Sequence, residues 1–324
     1  MNPLTEKHDP ELERICRRFG LGEWLGSSGK LNGSYNVNVK IKTTEGRYVV
    51  RYLNDSCSEE HLNYLQSLLL HIQAEGIQVP LPLTDEEGNC FIREDGKKIQ
   101  VTPFVKGGGF KCRLGQVSSC AGTLRRFHQA LEHYKPGPQP AWSFCQNDDY
   151  FTAAYRRLKQ MPDIPKLQLS EAKLLGDSIL EQWDRAQADL PATVIHGDWH
   201  FWNQCYSGDE VSCVMDFDFV QAGPRLFDVA YSLWVIYLLL PHHAAEFDRC
   251  FLMGYGQLTP EEQAMLPVAV SRIGLFFLFH SAYSSHPGEK WKRQYERQVR
   301  LLYWMRSEGG QRLRQILREM DSGS

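Results

Sequence analysis

The sequence has no apolar run of the roughly 18 residues that a membrane-spanning helix needs, and its longest candidate is only Val235–Leu240. Basic charge is not in excess either. The sequence has 36 Lys and Arg compared with 39 Asp and Glu, and the resulting net charge of −3 gives no positive field that would attract nucleic acid. The N-terminal segment is polar and charged, which is not typical of a signal peptide. We therefore expect a cytoplasmic protein that binds neither membranes nor nucleic acid.

Paired cysteines and a P-loop are also missing. The nine cysteines include no C-x-x-C pair, and their odd number suits reduced thiols. Trp24 stands where a P-loop around Gly29-Lys30 would need its first glycine, and neither Ser nor Thr follows the lysine. His196 and His200 have a spacing that suits zinc on a helix, but the intervening glycine and the preceding strand pattern argue against a helix there.

What the sequence does contain is enough apolar material for a large core. It has 324 residues, 42% of them hydrophobic, and a chain of this length is expected to form about two domains. Alternating residues in the N-terminal third predict strands, whereas later segments have the helical period. The predicted strands cover 37–41, 48–53, 90–93 and 98–102, and the predicted helices cover 10–19, 59–75, 117–131, 149–158, 170–188, 226–240, 244–255, 261–280 and 290–305.

The residues that could carry chemistry are concentrated between Val194 and Asp228. Two β-prone runs, Val194–Ile195 and Val211–Met215, each precede a polar cluster, and a turn at 207–209 predicts a hairpin that places the two strands side by side. The polar residues are His196, Gly197, Asp198 and Asn203 after the first run, and Asp216 and Asp218 after the second. Carboxylate and carboxamide oxygens of this kind suit Mg²⁺.

The spacing of these residues is more informative than their composition. Asn203 follows Asp198 by five positions, as in a kinase catalytic loop, and an Asp-Phe metal motif comes later in the chain. His-Gly-Asp-x-His-x-x-x-Asn, Asp-Phe-Asp and Gly-Pro-x-x-x-Asp follow in order up to Asp228. This pattern resembles the aminoglycoside phosphotransferase and choline kinase family, which includes bacterial homoserine kinases.

The resemblance implies a two-lobed, protein-kinase-like fold of the α+β class. An antiparallel five-stranded sheet would form the N-terminal nucleotide-binding lobe, residues 1–105, and a mainly helical C-terminal lobe, residues 106–324, would carry the catalytic loop and the acceptor pocket. The glycine-rich segment after Val105 would link the two lobes. His128 and Asp228 would be structural, and Asp228 would either cap a helix or brace the catalytic loop.

The resemblance also implies a nucleotide site made by the N-terminal lobe. A glycine loop with Gly33 and Ser34 would cover the phosphates of ATP, and Arg51 would hold them with its planar guanidinium group. Glu60, or alternatively Glu59, would pair with Arg51. Backbone groups of about 102–104, assigned to Thr102 and Phe104, would hydrogen-bond to adenine.

In the same way, the resemblance assigns roles to the central motif. Asp198 would act as the base for, or orient, an acceptor hydroxyl, while Asn203, Asp216 and Asp218 would hold Mg²⁺ at the phosphates of ATP. Catalysis would consist mainly of positioning and charge neutralisation.

The acceptor is left open by the sequence. Aromatic residues are frequent in the C-terminal half and could surround a quaternary ammonium group, although such residues more often form a core; they are Trp199, Trp202, Trp234, Tyr237, Phe276, Phe277, Tyr283, Trp291 and Tyr295. An amino alcohol, a homoserine-like amino acid, a sugar and an aminoglycoside all fit a small-molecule kinase. The alternative is a non-catalytic, kinase-like binding or structural protein of the spore-coat type.

Overall fold

The computed structural model describes residues 9–31 and 35–322. The chain divides into two compact units. The first extends to Gly108 and includes the short segments 137–141 and 212–215; the second comprises 109–136, 142–211 and the chain from Asp216 onward.

The first unit contains a five-stranded antiparallel sheet with the strand order β1-β2-β3-β5-β4. Its elements are α1 Pro10–Arg18, β1 Trp24–Leu31, β2 Val37–Thr43, β3 Arg47–Tyr52, α2 Glu59–Ala74, β4 Ile92–Glu94 and β5 Lys97–Pro103. Four of the strands and both helices lie within a few residues of their predicted positions. The sheet packs its buried face around Ile41, Val50 and Val101, against Ile15 of α1.

Strand β1 was not predicted, because its glycine-rich sequence suggested a loop. The strand pairs with β2 in a register that shifts between Trp24 and Gly26 and again between Ser27 and Lys30. Gly26 and Gly29 have φ values of +138° and +86°, which side chains rarely adopt. The glycines therefore form irregularities inside a strand and do not mark its end.

The second unit is mainly helical. Its helices are α3 Leu114–Ala130, α4 Asp148–Lys159, α5 Lys166–Ala186, α6 Leu226–Leu239, α7 Ala244–Tyr255, α8 Pro260–Phe279, α9 Pro287–Arg306 and α10 Glu308–Ser322. The predicted helices lie within a few residues of α3 to α9. Helix α10 was missed, although Leu313, Ile316 and Leu317 have helical spacing and are buried.

Strand pairing around the central motif differs from the prediction. Four strands lie here: β6 Ala192–Ile195, β7 Gln204–Ser207, β8 Glu210–Val214 and β9 Gln221–Pro224. We expected the strand before His196 to pair with the one before Asp216. Instead, β6 pairs with β9 in antiparallel register, and β8 forms its hairpin with β7. The polar segment after Asn203 was not recognised as a strand because its alternation is weak.

Helix α8 is long and apolar enough to cross a membrane, by length and composition alone, so the prediction that Val235–Leu240 is the longest apolar candidate was wrong. The helical segment Pro260–Tyr283 has a mean hydropathy of 1.5 in its most apolar 18-residue window, and 78% of that window is buried inside the protein. Burial of this extent is typical of a core helix.

Candidate active site

The segment that follows β6 is fixed by Asp228, which lies in the first turn of α6 and is completely buried. Its carboxylate accepts hydrogen bonds from the backbone N–H of His196, at 2.8 Å, and of Gly197, at 2.9 Å. Of the two roles predicted for Asp228, capping a helix or bracing the catalytic loop, these contacts confirm the bracing role. Because these N–H groups are bonded in the interior, the loop backbone is held in one position.

His128 of α3 extends this network. Its Nε2 lies 3.1 Å from Oδ2 of Asp228, and its Nδ1 lies 2.9 Å from the hydroxyl of Tyr255 in α7. The prediction of a hydrogen-bonded structural histidine is therefore confirmed. Helices α3, α6 and α7 are joined to the loop through these buried polar groups.

Gly197 allows the tight turn that presents Asp198. Its φ is +80°, and a Cβ at this position would lie 2.4 Å from the carbonyl oxygen of Phe219. Both the left-handed backbone and the close contact exclude a side chain here. The glycine of the motif is thus explained by geometry.

Asp198 and Asn203 are in direct contact. Asn203, at the end of a short 3₁₀ helix, donates its Nδ2 to the backbone oxygen of Asp198, at 2.9 Å, and to Oδ2 of the same residue, at 3.0 Å. With the amide nitrogen used in this way, the amide oxygen of Asn203 is left as a potential ligand for a cation.

The side chain of Asp198 is buried, with only 7% of its surface exposed. Burial raises its pKa to about 7, and hydrogen bonds from Tyr231 and Asn203 offset part of this effect. Its Oδ1 is buried and has no hydrogen-bond partner in the described part of the chain. A carboxylate that titrates near neutral pH with one unused oxygen is suited to accept a proton or orient a hydroxyl.

His200 lies beside the carboxylate of Asp198, and we did not predict this contact from the sequence. Its Nδ1 accepts a hydrogen bond from the backbone N–H of Trp202, at 3.2 Å, and its Nε2 lies 3.6 Å from Oδ1 of Asp198. Burial lowers the pKa of His200 to about 4, so the ring is neutral and carries its proton on Nε2. The spacing from Asp198 was the only signal for this role in the sequence.

The two remaining predicted metal ligands follow β8. Asp216 is exposed and has a left-handed backbone with a φ of +67°, and Asp218 is half-buried. Among the described residues, no cluster of three or more His, Cys, Asp or Glu side chains could hold a metal ion. The oxygen donors nevertheless fit Mg²⁺, which usually takes one or two carboxylates and completes its shell with phosphates and water.

The predicted phosphate-binding residues belong to the first unit. Arg51 lies on β3, opposite Asn38 of β2 and Gln100 of β5. Glu59 forms an ion pair with Arg93, whose Nε lies 2.8 Å from the Glu59 carboxylate, while Glu60 is exposed. Gly33 and Ser34 lie outside the described residues, so their predicted role in phosphate binding stays a prediction.

The predicted adenine-binding segment is the end of β5. Thr102 pairs with Val49 of β3, and the N–H of Phe104 donates to the carbonyl of Arg47 at 2.9 Å. Pro103 has no N–H group. The amide of Phe104 is therefore already used within the sheet. On the other edge of β5, residues 97–99 pair with β4 and the carbonyl of Val101 accepts a hydrogen bond from the N–H of Leu83, so the backbone groups after Val101 are those left for a ligand.

Fold and site together define a protein of the kinase-like class: an antiparallel sheet in one unit, and helices around an Asp–Asn loop in the other. The family described as Phosphotransferase enzyme family matches residues 30–265, which is most of the chain. The chain belongs to this family. The resemblance inferred from the sequence is confirmed, and so is the prediction of an enzyme of the small-molecule phosphotransferase class.

Curated relatives of this chain include several homoserine kinases. One, from Bradyrhizobium diazoefficiens (strain USDA 110), is 26% identical over 287 residues and covers 86% of this chain and 85% of its own length. Another, from Granulibacter bethesdensis (strain CGDNIH1), is 27% identical over 294 residues and covers 86% of each chain.

Solved structures show the same fold. An amicoumacin kinase in complex with AMP-PNP, Ca²⁺ and Ami has a TM-score of 0.69 at 15% identity and covers 89% of this chain and 92% of its own. A microcompartment-associated aminopropanol kinase has a TM-score of 0.67 at 17% identity and covers 86% and 91%. At such low identity these likenesses establish the fold alone, and they confirm the predicted α+β, kinase-like class.

Proposed function

We propose that this protein transfers the γ-phosphate of ATP, with Mg²⁺, to a hydroxyl group of a small molecule. The observation that carries the proposal is the environment of Asp198, whose Oδ2 is held by Asn203 and whose buried Oδ1 has no hydrogen-bond partner among the described residues. An acceptor hydroxyl that donates to this oxygen would satisfy it. The raised pKa of Asp198 also makes the carboxylate a better proton acceptor than an ordinary aspartate.

The other polar residues of the motif fit roles around the phosphates. The amide oxygen of Asn203 and the carboxylates of Asp216 and Asp218 would hold Mg²⁺, which when bound would neutralise charge on the transferred phosphoryl group. Asp198 would orient the acceptor hydroxyl and take its proton. His200, neutral and 3.6 Å away, would help to hold the Asp198 carboxylate in that orientation.

Nucleotide binding is assigned to residues 1–105, and acceptor binding to residues 106–324. Arg51 would contact the phosphates, with Glu60 as its partner because Glu59 is paired with Arg93, and the loop of Gly33 and Ser34 would cover them.

For adenine, the register of β5 modifies our assignment of Thr102 and Phe104. Thr102 pairs with β3 and the N–H of Phe104 bonds to it; because successive residues of a strand alternate between its two edges, we infer that the carbonyl of Pro103 and the N–H of Val105 face away from β3. We therefore add these two backbone groups as the partners of adenine.

For the acceptor, the names of the relatives suggest where to begin. Homoserine comes first because curated homoserine kinases cover most of this chain at 26–27% identity. Amino alcohols and antibiotics follow, since the structural neighbours include an aminopropanol kinase and an amicoumacin kinase. We also propose a cytoplasmic location, where ATP and such metabolites are available.

The test is ADP release in the presence of ATP and Mg²⁺, measured with homoserine, aminopropanol, choline, sugars and aminoglycosides in parallel. We expect one acceptor class to raise ADP release well above slow background hydrolysis. Thermal shifts are measured beside it, with ATP and Mg²⁺ separately and together, because a ligand that binds the folded state stabilises it. Synergistic stabilisation by ATP and Mg²⁺ with no acceptor-dependent turnover would favour a kinase-like binding protein.

A further inference from the structure

The helical unit contains a cavity that shares no residue with the candidate active site. It lies where α4, α5 and the end of α8 meet and has a volume of about 390 Å³. Pockets of a few hundred Å³ are typical of small-molecule sites. Nothing in the proposed phosphotransfer reaction uses this cavity.

The inner wall of the cavity is apolar. Phe151 of α4 and Leu275 and Phe279 of α8 line it, and all three belong to the core of the unit, with exposed fractions of 3% or less. Gly176 of α5 keeps this wall open, since a Cβ there would already lie 3.1 Å from Leu275. An apolar group in the cavity would therefore contact core side chains directly and lose contact with water.

The rim of the cavity is basic. Arg156 and Lys159 of α4 and Lys173 of α5 line it, with Asp177 as the only acidic lining residue. Asp177 is paired with Lys173. Within residues 9–31 and 35–322, Arg156 and Lys159 have no acidic partner, so two positive charges on the rim are not neutralised.

We propose that this cavity binds a monomeric anionic amphiphile, that is, an apolar chain with a carboxylate or phosphate head group. The chain would lie against Phe151, Leu275 and Phe279, and the head group would lie at Arg156 and Lys159. A purely polar anion would gain nothing from contact with the apolar wall, and a neutral apolar molecule would gain nothing from the two cations. The combination of wall and rim therefore selects for a molecule with both properties.

Isothermal titration calorimetry with the full-length protein tests the proposal without any nucleotide. The probes are dodecanoate, dodecyl phosphate and the neutral dodecanol, each below its micelle concentration. We expect one or both anionic probes to bind at a single site, at least about tenfold more tightly than dodecanol, with an affinity that falls as salt is added. Binding of dodecanoate alone or of dodecyl phosphate alone identifies the head group. The absence of binding by both, or equal binding of dodecanol, would overturn the proposal.

Two sets of variants locate the site. Arg156→Gln/Lys159→Gln should weaken binding of the anionic probe about tenfold. This is the loss in affinity expected when the binding free energies of two exposed ion pairs are removed together. Its control, Arg157→Gln/Lys166→Gln, removes the same charge outside the lining and should leave the affinity unchanged. Thr152→Trp, at an exposed lining position, should block the cavity and abolish binding while circular dichroism shows an intact fold. Equal weakening in both double variants, or unchanged binding in Thr152→Trp, would contradict the proposed location.

Discussion

The side-chain amide of Asn203 donates hydrogen bonds to both the backbone oxygen and the carboxylate of Asp198, at 2.9 and 3.0 Å. This contact links the proposed base, Asp198, to a proposed metal ligand, Asn203. Because the amide nitrogen of Asn203 faces Asp198, its amide oxygen points away from Asp198 and can bind a cation. Four intervening residues, in a loop and a short 3₁₀ helix, bring the two side chains together. The contact thus explains why Asn203 follows Asp198 by five positions in the sequence.

The buried carboxylate of Asp198 should reduce stability at neutral and alkaline pH. Its folded-state pKa of about 7 is above the unfolded value near 4, so wild-type stability should fall as the pH rises through this window. Asp198→Asn keeps the shape without the charge, and should be more stable than wild type at pH 8 by about 3–4 kcal/mol. Thermal unfolding at pH 4 and pH 8 measures this. A difference in stability between Asp198→Asn and wild type that does not change with pH would contradict the raised pKa of Asp198.

Asp228 should be a major stabilising residue of the loop. Asp228→Ala removes the acceptor for two backbone N–H groups and for His128, all of them buried, and should cost about 3–5 kcal/mol. Asp228→Asn retains one acceptor oxygen and should cost less. Urea unfolding of both variants is compared with Asp189→Ala, an exposed position. Equal stabilities of Asp228→Ala and the control would show that the network is not important.

Asp216 should be required for metal-dependent nucleotide binding and not for folding. Asn tolerates the left-handed backbone at this position, so Asp216→Asn should fold normally while losing the carboxylate that would bind Mg²⁺. ATP titrations with and without Mg²⁺ should show that the Mg²⁺-dependent gain in affinity is lost. Asp189→Asn is the matched control. Wild-type ATP·Mg²⁺ affinity in the folded Asp216 variant would exclude this residue as a ligand.

Arg51 should contribute to phosphate binding through its guanidinium geometry. Arg51→Ala should weaken ATP binding, and Arg51→Lys should restore only part of it, since lysine keeps the charge but not the bidentate donor pair. Arg47→Ala, on the same strand but exposed, controls for effects on the sheet. Nucleotide titration of the three variants separates these contributions. If Arg51→Ala binds ATP as wild type does, the assignment to the phosphates is wrong.

The sequence predicted those parts of the fold in which local pattern and final structure agree. Helix α2 begins at a Ser58 cap and buries Leu62, Leu65 and Ile72 at helical spacing, and it was located within one residue. In β1, by contrast, the glycines and bulges conceal the alternation. The pairing of β6 with β9 could not be predicted, because a four-residue strand carries little information about its partner.

In the candidate site, too, the contacts between near neighbours in the chain were predictable and those that depend on the overall fold were not. Asp198 and Asn203 touch because they are near neighbours in the chain, and the motif therefore predicts their contact. The position of Asp228 beneath His196 depends on α6 folding back onto the loop, and the sequence left two alternatives open for it. The raised pKa of Asp198 and the neutral state of His200 result from burial in the folded protein, which composition and spacing do not reveal.

The measurement that tests the central claim most directly compares Asp198→Asn with wild type in two assays on the same protein preparations, ADP release with the best acceptor and ATP·Mg²⁺ titration. Asp198 is proposed to touch the acceptor and not the nucleotide. Turnover should therefore fall by about 10²–10⁴-fold, as for a positioned acid–base group, while ATP·Mg²⁺ affinity stays near that of wild type. Undiminished turnover in the variant, or a loss of ATP·Mg²⁺ affinity that accounts for the whole effect, would contradict the account.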